Sequence, residues 1–325
     1  MTSRPDKIRF RGKTHDVRDV VRIGGQRYFV IGTFGRRGNI RQRAVRKQGR
    51  DRDEFTIHRL ENTRENRDRI ANLKRTGKSS LPTPQIVYYQ SNKKELLVVS
   101  EYVPGQSLRS YLRSRPQIGI YDAARLHCQL VQQTFTLNSR LGVIHGDISP
   151  DNLIISPKAT RLVLIDFGSS FRFSRTTNRD EGDGANFVYQ APEINAGNPP
   201  TRHSEQFSCA VVLFEMITRT VPYDGMGGRV LAFTSEKDAV AMLNSELGEV
   251  VRSIPNFAQA AFREFLSRAL SLNAGDRYPT NSDWKAFAEK LFEQLKYLPS
   301  DSPPETPFKQ FLDACRSIAK HLGLS

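Results

Sequence analysis

The chain has 325 residues, of which 38% are hydrophobic and 26% are charged, and its 49 Lys and Arg against 34 Asp and Glu give a net charge of +15. This composition excludes a collagen, a mucin-like chain and a wholly disordered chain. At roughly 150 residues per domain, the length predicts two compact units or one domain with two lobes, without any need for disulfides or structural zinc.

The cysteines and the apolar stretches indicate the kind of compartment. Cys128, Cys209 and Cys315 show no C-x-x-C spacing, so the sequence indicates neither a disulfide framework nor a zinc cluster and favours a reducing, cytoplasmic location. The most apolar stretch, residues 209–217, is interrupted by Glu215 and is too short to cross a bilayer. We therefore expect no signal peptide and no transmembrane segment.

Nearly all of the excess positive charge lies in the first quarter of the chain. Residues 1–80 contain 23 Lys and Arg and 9 Asp and Glu, whereas residues 81–325 contain 26 and 25. Such a surface is typical of proteins that bind an acidic partner: a nucleic acid, a phosphoprotein or an anionic membrane. The alternative is a solvated face that serves solubility alone, and the sequence leaves both open.

The first lobe, residues 27–104, is predicted to be rich in β-structure. Apolar and β-branched runs between turn residues predict strands that pair as hairpins. The predicted strands are 27–34, 40–47, 55–60, 85–90 and 95–103. Residues 61–75 contain neither Gly nor Pro and place Ile70 and Leu73 three apart, which favours one amphipathic helix. Residues 1–26 are interpreted as a basic N-terminal extension.

From residue 105 onward the pattern is typical of helices. Apolar residues recur at helical spacing in six segments, which predict a helical second lobe at 105–298. The six segments are 107–112, 121–141, 205–218, 237–247, 258–272 and 281–295. A linker and a short helix are predicted in the C-terminal region, 299–325. The predicted fold class is therefore α+β, with a β-rich lobe that carries one helix and a second lobe that is helical.

Three polar motifs follow one another in the second lobe. His-Gly-Asp at 145–147 opens a loop between two apolar runs, and Asn152 follows five residues after Asp147. A strand then ends in Asp-Phe-Gly at 166–168, and Ala-Pro-Glu stands at 191–193. The order and spacing resemble H-R-D-x-x-x-x-N, D-F-G and A-P-E of eukaryotic-like Ser/Thr protein kinases.

The resemblance covers residues 27–295 and implies a bilobal protein-kinase-like fold, with ATP and Mg²⁺ as cofactors and a protein as substrate. It implies that Asp147 is the catalytic base and that Asn152 and Asp166 hold the metal during γ-phosphoryl transfer to a Ser or Thr hydroxyl. The segment 96–108 resembles the kinase hinge, which implies that the carbonyl of Glu101 and the amide of Val103 bind adenine.

Two further resemblances concern structure. Residues 204–215 are similar to the buried kinase helix that opens with D-x-W-S-x-G, with Glu205 at the aspartate position. Arg277 lies in a segment similar to the late kinase element whose arginine pairs with the glutamate of A-P-E. The resemblance therefore implies a structural salt bridge between Arg277 and Glu193.

The glycine loop of the first lobe departs from the kinase pattern. Gly35 and Gly38 match the second and third glycines of G-x-G-x-x-G, whereas Thr33 takes the place of the first and Gly32 lies one residue early. Glycines let backbone amides approach phosphates, so we interpret Gly32, Gly35 and Gly38 as cofactor-binding residues.

The phosphate-binding lysine of the family is also missing, and alignment places His58 at its position. Histidine is shorter than lysine and mostly neutral near pH 7. Arg41 or Arg43 on the preceding strand would be a substitute cation, and the sequence selects neither. The helix glutamate that would pair with this cation is assigned to Glu65, with Asp68 as the alternative.

Two other classes of function remain open. Ser149 replaces the lysine that steadies the γ-phosphate, and together with His58 it favours a pseudokinase that acts as a scaffold or allosteric partner. The His-Gly-Asp tripeptide also occurs in small-molecule phosphotransferases, although Ala-Pro-Glu and the hinge favour a protein kinase. Because Asp147, Asn152 and Asp166 are all retained, a protein kinase is the leading hypothesis.

Overall fold

A computed structural model describes residues 7–34, 41–48, 51–76, 81, 83–115, 118–167, 171–172, 187–296 and 298. The chain divides into two units, one made of residues 1–79 and 83–103 and the other of residues 80–82 and 104–325. The first unit is mainly antiparallel sheet and the second is mainly helical. The predicted α+β class is therefore confirmed. Among the described residues, no helix has both the length and the hydrophobicity that crossing a membrane requires.

The first unit contains one helix, α1 (Arg64–Thr76), among eight described strands. The strands are β1 (Lys7–Phe10), β2 (Lys13–Asp16), β3 (Asp19–Ile23), β4 (Gln26–Phe34), β5 (Arg41–Gln48), β6 (Asp51–Glu61), β7 (Ile86–Ser91) and β8 (Glu95–Glu101). Six of them form an antiparallel sheet in the order β3-β4-β5-β6-β8-β7, and β1 pairs with β2 alone. The five strands and the helix that the sequence predicts within 27–103 all occur.

The segment 1–26 is not a separate extension, and the sequence interpretation was wrong on this point. Strand β3 pairs with β4 along its whole length, from Asp19 opposite Val30 to Ile23 opposite Gln26. Residues of β1 are buried in one cluster with Val45 of β5. The N-terminal strands therefore bury apolar area against the sheet, which is the main force that holds such a segment in place.

Both N-terminal hairpins turn on two residues that have positive φ. Arg11 and Gly12 have φ of 45° and 76°, and Gly24 and Gly25 have φ of 54° and 76°. Two consecutive residues with positive φ are the signature of the type I′ turn, whose twist matches that of the flanking strands. The Gly-Gly pair at 24–25 was therefore the sequence signal for the edge strand β3.

The sheet is packed on both faces. One face carries a cluster in which the ring of Tyr28 meets the ring of Phe55 edge-on, with centroids 5.6 Å apart. On the other face, Ile70 of α1 packs against Leu96 and Val98 of β8. His58 is directly opposite Val98 in the β6–β8 ladder, so it lies on the same face as α1.

The second unit is built around the long helix α3 (Ile120–Leu141), which packs against α5 (Arg202–Thr218) and α8 (Asn281–Leu295). Its other described helices are α2 (Leu108–Arg113), α4 (Pro192–Asn195), α6 (Glu236–Arg252) and α7 (Asn256–Ala269). Its short strands are β9 (Gln106–Ser107), β10 (Val143–Ile144), β11 (Leu153–Ile155), β12 (Leu162–Leu164) and β13 (Phe171–Arg172). All six predicted helical segments are helices. The predicted linker at 299–307 and helix at 308–322 lie outside the described residues.

Candidate active site

The β11–β12 hairpin brings two of the predicted site residues to the same end of the structure. Leu153 of β11 is directly opposite Leu164 of β12. Asn152 immediately precedes β11, and Asp166 follows β12 by two residues. The backbone amide of Ile165 donates to the carbonyl of Asn152 at 2.9 Å, which extends the ladder to this end. The antiparallel register therefore brings Asn152 and Asp166 to the same end of the hairpin.

Asn152 also holds the predicted catalytic base. Its Nδ2 donates to Oδ2 of Asp147 at 2.8 Å and to the backbone carbonyl of Asp147 at 2.9 Å. A short 3₁₀ helix, Pro150–Asn152, supplies the spacing, because the amide of Asn152 donates to the carbonyl of Ser149 at 3.0 Å. The donating end of the Asn152 amide is therefore directed at Asp147, and its accepting oxygen is directed away from Asp147.

The backbone of Asp166 lies in the left-handed region, with φ of 65°. This conformation is costly for a residue with a Cβ, and such residues occur mainly where surrounding structure holds them at a functional site. Phe167 is buried, and its ring meets that of His145 edge-on with centroids 5.0 Å apart. Gly168, the third residue of the motif, lies outside the described residues.

His145 links the loop of Asp147 to the strand end that carries Asp166. Its Nδ1 accepts a hydrogen bond from the amide of Asp147 at 3.3 Å, and its Nε2 lies 3.1 Å from the carbonyl of Ile165. Together these contacts assign the proton to Nε2, which then donates. Burial lowers the pKa of His145 to about 4, against the opposing effects of the Asp166 carboxylate and the Ile165 carbonyl. His145 is therefore a neutral spacer near pH 7, and we assign it no proton transfer.

Glu205, on helix α5, accepts hydrogen bonds from the backbone of the catalytic loop. Its Oε1 accepts hydrogen bonds from the backbone amides of His145 at 2.6 Å and Gly146 at 3.0 Å, and its Oε2 accepts one from Nδ2 of Asn138 at 2.6 Å. Burial raises the pKa of Glu205 to about 7, and these three hydrogen bonds oppose the rise. When ionised, the carboxylate fixes the loop backbone through charge-assisted hydrogen bonds.

The predicted salt bridge between Arg277 and Glu193 is present. Nη1 of Arg277 lies 2.6 Å from Oε1 of Glu193, and Nη2 lies 2.8 Å from Oε2, which is the bidentate arrangement. The Arg277 side chain is fully buried and also donates to the carbonyls of Ser271 at 2.9 Å and His203 at 3.0 Å. Its role is structural, because it ties the start of α4 to the segment before α8.

In the first unit, the β5–β6 register determines which arginine of β5 lies opposite His58 of β6. Arg41 is directly opposite His58, and Arg43 is directly opposite Thr56, two residues along the same face. Arg43 is engaged elsewhere, because its Nε donates to the carboxylate of the buried Glu54 and its guanidinium lies over a ring, that of Tyr102, at 4.6 Å. The fold therefore places Arg41, rather than Arg43, beside His58.

The remaining predicted residues of the first unit are placed as follows. Glu101 ends β8, Tyr102 donates from its backbone to the carbonyl of Glu54 at 3.2 Å, and Val103 is the last residue of the unit. Gly32 lies in β4, where an added Cβ would meet only Cβ of Arg43 at 3.9 Å, so sterics do not require glycine there. Gly35, Gly38 and the Glu65 side chain lie outside the described residues. Asp68 is half-buried on α1.

The donor set of Asn152 and Asp166 suits a hard divalent cation. Amide and carboxylate oxygens are ligands that Mg²⁺ accepts, and in phosphate-transfer sites this ion takes one or two protein carboxylates and completes its shell with water and substrate phosphates. Across the part of the chain that the structure describes, no group of three or more His, Cys, Asp and Glu forms a metal cage. The residues present therefore fit Mg²⁺ bound together with a nucleotide.

Residues 49–292 match the protein kinase domain family, which is about three-quarters of the chain. The chain belongs to this family. The protein kinase domain thus contains both the loop of Asp147 and the α5 helix that supports it, and the bilobal kinase fold expected from the motifs is confirmed.

Several curated relatives of this kinase domain have been found. Serine/threonine/tyrosine-protein kinase HT1 of Arabidopsis thaliana is 28% identical over 227 residues, which are 69% of this chain and 54% of the relative. Serine/threonine-protein kinase PrkC of Bacillus subtilis is 26% identical over 219 residues, 66% of this chain and 32% of the relative. Serine/threonine-protein kinase mos of Patiria pectinifera is 35% identical over 135 residues, which are 40% of this chain and 35% of the relative. The chain thus spans about half the length of the first of these relatives and about a third of the length of the other two.

Sequence reasoning missed one residue that supports the kinase site. Asn138 of α3 donates from Nδ2 to Glu205 and to the carbonyl of Val143 at 2.9 Å, and it accepts from Nδ2 of Asn281 at 3.1 Å. It is buried at 4% exposure. An amide in a helix that is buried along most of its length is a recognisable signal, because buried polar groups need partners. The identity of those partners was not readable from the sequence.

Proposed function

We propose that this chain is an ATP- and Mg²⁺-dependent protein kinase that transfers the γ-phosphoryl group to serine or threonine hydroxyls of a protein. The observation that supports this most directly is the hydrogen bond from Asn152 to Asp147 at the same hairpin end as Asp166. In this proposal Asp147 is the base and Asn152 and Asp166 are the oxygen ligands, and rigid elements position all three, as phosphoryl transfer requires of a protein.

In this proposal Asp147 orients the substrate hydroxyl and accepts its proton. Its Oδ2 is held by Nδ2 of Asn152, so the other oxygen, Oδ1, is directed to the hydroxyl. His145 holds the amide of Asp147 and stays neutral, which keeps the loop geometry constant near pH 7. The proton moves from the hydroxyl to the Asp147 carboxylate as the hydroxyl oxygen bonds to the γ-phosphorus and the bond from that phosphorus to the bridging oxygen breaks, which releases ADP.

Asn152 and Asp166 would hold Mg²⁺ through their side-chain oxygens. When bound, Mg²⁺ neutralises charge on the phosphate oxygens during transfer. Asn152 would then have two tasks: its nitrogen orients Asp147, and its oxygen would be a ligand of the cation. The left-handed backbone of Asp166 fixes the direction in which its carboxylate leaves the strand.

Residues of the first unit would bind the nucleotide. Glu101 and Val103 are proposed to accept and donate hydrogen bonds to adenine through their backbones, and His58 with Arg41 to contact the phosphates. We assign the substitute cation to Arg41 because it is directly opposite His58, whereas Arg43 is engaged with Glu54. A guanidinium keeps its charge at every physiological pH, which histidine does not.

The test is phosphorylation of generic protein substrates with labelled ATP and Mg²⁺. Wild type should incorporate label, and Asp147→Asn and Asp166→Ala should reduce incorporation by about three orders of magnitude or more, as expected when a base or a charge-stabilising group is removed. Asp283→Asn, at an exposed helix start far along the chain, is the matched control. Incorporation that persists in both site variants would contradict the assignment.

A pseudokinase is the second candidate function, and two residues favour it. His58 stands where the family has its phosphate-binding lysine, and Ser149 is buried at 2% exposure where the family has a second phosphate-binding lysine. If wild type incorporates no label and ATP with Mg²⁺ does not raise its melting temperature, the scaffold function is the better description.

An acidic partner of the basic first unit remains a prediction of its own. Several of its cations are used internally: Arg46 lies over the ring of Phe55 at 4.8 Å, Arg27 lies over that of Phe29 at 5.4 Å, and Arg43 binds Glu54. Part of the excess charge therefore serves packing. Retention on heparin that falls with salt would support a nucleic acid, phosphoprotein or membrane partner, and elution at low salt would speak against one.

A further inference from the structure

A buried carboxylate of the first unit binds two arginines. Glu54, on β6, has a side chain that is 4% exposed, and Nε of Arg43 donates to its Oε1. Nη1 of Arg11 lies 3.6 Å from the other oxygen, Oε2. Each oxygen of Glu54 therefore has a guanidinium partner, which compensates the cost of burying the charge.

The backbone of Glu54 also binds the segment that the kinase resemblance assigns to adenine. The amide of Tyr102 donates to the carbonyl of Glu54 at 3.2 Å, directly beyond the end of the β6–β8 ladder. The guanidinium of Arg43 lies over the ring of Tyr102 at 4.6 Å. Tyr102 is therefore held through both its backbone and its ring, at a position between Glu101 and Val103.

Arg11 connects the N-terminal hairpin to the same carboxylate. It lies in the β1–β2 turn with φ of 45°, and its guanidinium is 5.1 Å from the ring centroid of Phe10. Phe10 is 4% exposed and belongs to the buried cluster that contains Val45 of β5. Val45 is directly opposite Glu54, so this cluster and the carboxylate lie on one face of the sheet. The turn is therefore anchored beside Glu54 by apolar packing as well as by the ion pair.

We propose that Glu54 is a positioning residue of the nucleotide site. It holds the segment 101–103 in place through Arg43 and Tyr102, and it takes no part in the chemistry. Because Arg11 shares the carboxylate, the N-terminal hairpin also supports nucleotide binding. The inference rests on the proposed kinase function, in which the backbone of segment 101–103 binds adenine.

The physical reason is the precision that backbone hydrogen bonds to adenine require, since a shift of about 1 Å in the segment weakens them. Without the charge of Glu54, two guanidinium groups repel each other and Arg43 moves away from the ring of Tyr102. A cation over an aromatic ring changes a binding constant by about threefold to tenfold. The freed segment must be ordered again when adenine binds, which lowers the affinity.

The first experiment needs no nucleotide. Hydrogen exchange with mass spectrometry compares the segment 101–103 in wild type and in Glu54→Gln, which keeps the size of the side chain and removes its charge. We expect exchange in this segment to accelerate by at least about tenfold, while exchange in β3, at the far edge of the sheet, stays unchanged. Arg9→Gln, at an exposed position on β1, is the matched control and should behave like wild type.

Unchanged exchange at 101–103 in Glu54→Gln would overturn the proposal. An equal acceleration in β3 would also overturn it, because the carboxylate would then stabilise the whole unit rather than position this segment.

The second experiment measures adenine recognition by calorimetry, with ADP and GDP as ligands in the presence of Mg²⁺. Adenine presents an amino donor where guanine presents a carbonyl acceptor, so preference for ADP depends on a correctly placed carbonyl at Glu101. We expect Glu54→Gln to bind ADP about tenfold more weakly and Arg11→Gln about threefold more weakly, with a smaller change for GDP. An equal loss for both nucleotides would contradict the positioning role.

Tyr102→Leu provides a second variant in case Glu54→Gln does not fold. It removes the ring under Arg43 and leaves the buried carboxylate paired, so ADP should bind about threefold or more weakly. In this background Arg11→Gln should have no further effect on ADP binding, because both changes act through one network. Independent, additive effects would overturn the proposal. If no protein binds ADP but hydrogen exchange follows expectation, the positioning role of Glu54 stands and the proposed kinase function fails.

Discussion

The carboxylate of Glu205 accepts a hydrogen bond of 2.6 Å from the backbone amide of His145. A helix that is buried along most of its length thereby fixes the first residue of the catalytic loop. The start of this helix is itself secured, because the hydroxyl of Thr201 caps it and the side chain of Ser204 accepts from the backbone amide of Thr201 at 2.9 Å. The loop is therefore held by a rigid element as well as by its own hydrogen bonds.

Replacement of Glu205 by alanine should reduce both stability and activity. Three buried donors, the amides of His145 and Gly146 and Nδ2 of Asn138, would lose their acceptor, and each such loss costs about 1–3 kcal/mol. We expect urea unfolding to show a loss of at least about 3 kcal/mol and phosphoryl transfer to fall in the folded protein. Glu249→Ala, an exposed acid on α6, is the control and should stay within about 0.5 kcal/mol of wild type. A loss equal to that of the control would show that the contact contributes nothing.

Arg41 and Arg43 should separate in their effects. Arg41→Gln removes the cation assigned to the phosphates, so the rate of phosphoryl transfer should fall by about a hundredfold or more. Arg43→Gln removes the nearer of the two arginines that pair with the buried Glu54, the other being Arg11 at 3.6 Å, so the unfolding free energy should fall by up to about 3 kcal/mol. Steady-state kinetics and urea unfolding on both variants check this. The reverse pattern would assign the phosphate contact to Arg43.

Arg277 should be a large contributor to stability and a minor one to chemistry. Arg277→Met leaves Glu193 without its bidentate partner and removes donors from two buried carbonyls, and a broken buried pair typically costs about 3–5 kcal/mol. Differential scanning calorimetry should show a large drop in melting temperature. In the fraction that remains folded at low temperature, KM for ATP should be unchanged. A raised KM for ATP would instead place Arg277 in the function of the nucleotide site.

The acid stability of the protein should depend on His127. Burial alone lowers the pKa of His127 from 6.5 to about 3, and neither ring nitrogen has a hydrogen-bond partner among the described residues. The unfolded chain protonates His127 more readily than the folded chain does. The stability that neutral His127 contributes is therefore fully present above about pH 6.5 and is lost as the pH falls towards 3. In His127→Leu the unfolding free energy should therefore fall less steeply as the pH is lowered. The difference in slope should reach at most that of one proton, about 1.4 kcal/mol per pH unit.

Urea unfolding of wild type and His127→Leu at a series of pH values from 4 to 8 measures this difference. Glu205 acts in the opposite sense, because its raised pKa gives stability below about pH 4.5 that is lost as the pH rises through about 7. Its contribution is the same in both proteins and cancels in the comparison. Parallel pH curves for the two proteins would mean that His127 is not neutral in the folded state.

The sequence predicted most elements between 27 and 295, because hydrophobic periodicity is a local property of the chain. The ends of the elements were less accurate, since capping decides them. Helix α5 begins at Arg202 rather than 205 because Thr201 caps it, and α6 continues through Gly248 to Arg252 because its apolar face continues to Val250 and Val251. Strands β1 to β3 were missed because their many charges obscured short alternating patterns.

The candidate site shows the same contrast between features that a local pattern predicts and features that it does not. Asp147, Asn152 and Asp166 were found because their spacing along the chain is itself the signal, and the structure brings Asn152 to Asp147 as a hydrogen-bonded pair. The contacts of Arg109 with Glu215 and Tyr189 were not predictable, because Arg109 lies 106 positions from Glu215 and 80 from Tyr189. Contacts over such separations depend on tertiary packing, which no local pattern encodes.

The pairing of β3 with β4 changes which backbone groups the first unit offers to other chains. A strand at the edge of a sheet exposes unpaired donors and acceptors, to which a further strand can add. β3 covers β4 along its first half, and it is short and carries Asp19 and Arg22, which discourage addition. A chain shortened to begin at residue 26 would expose β4 with Phe29 and Ile31, and self-association through that edge is the expected result.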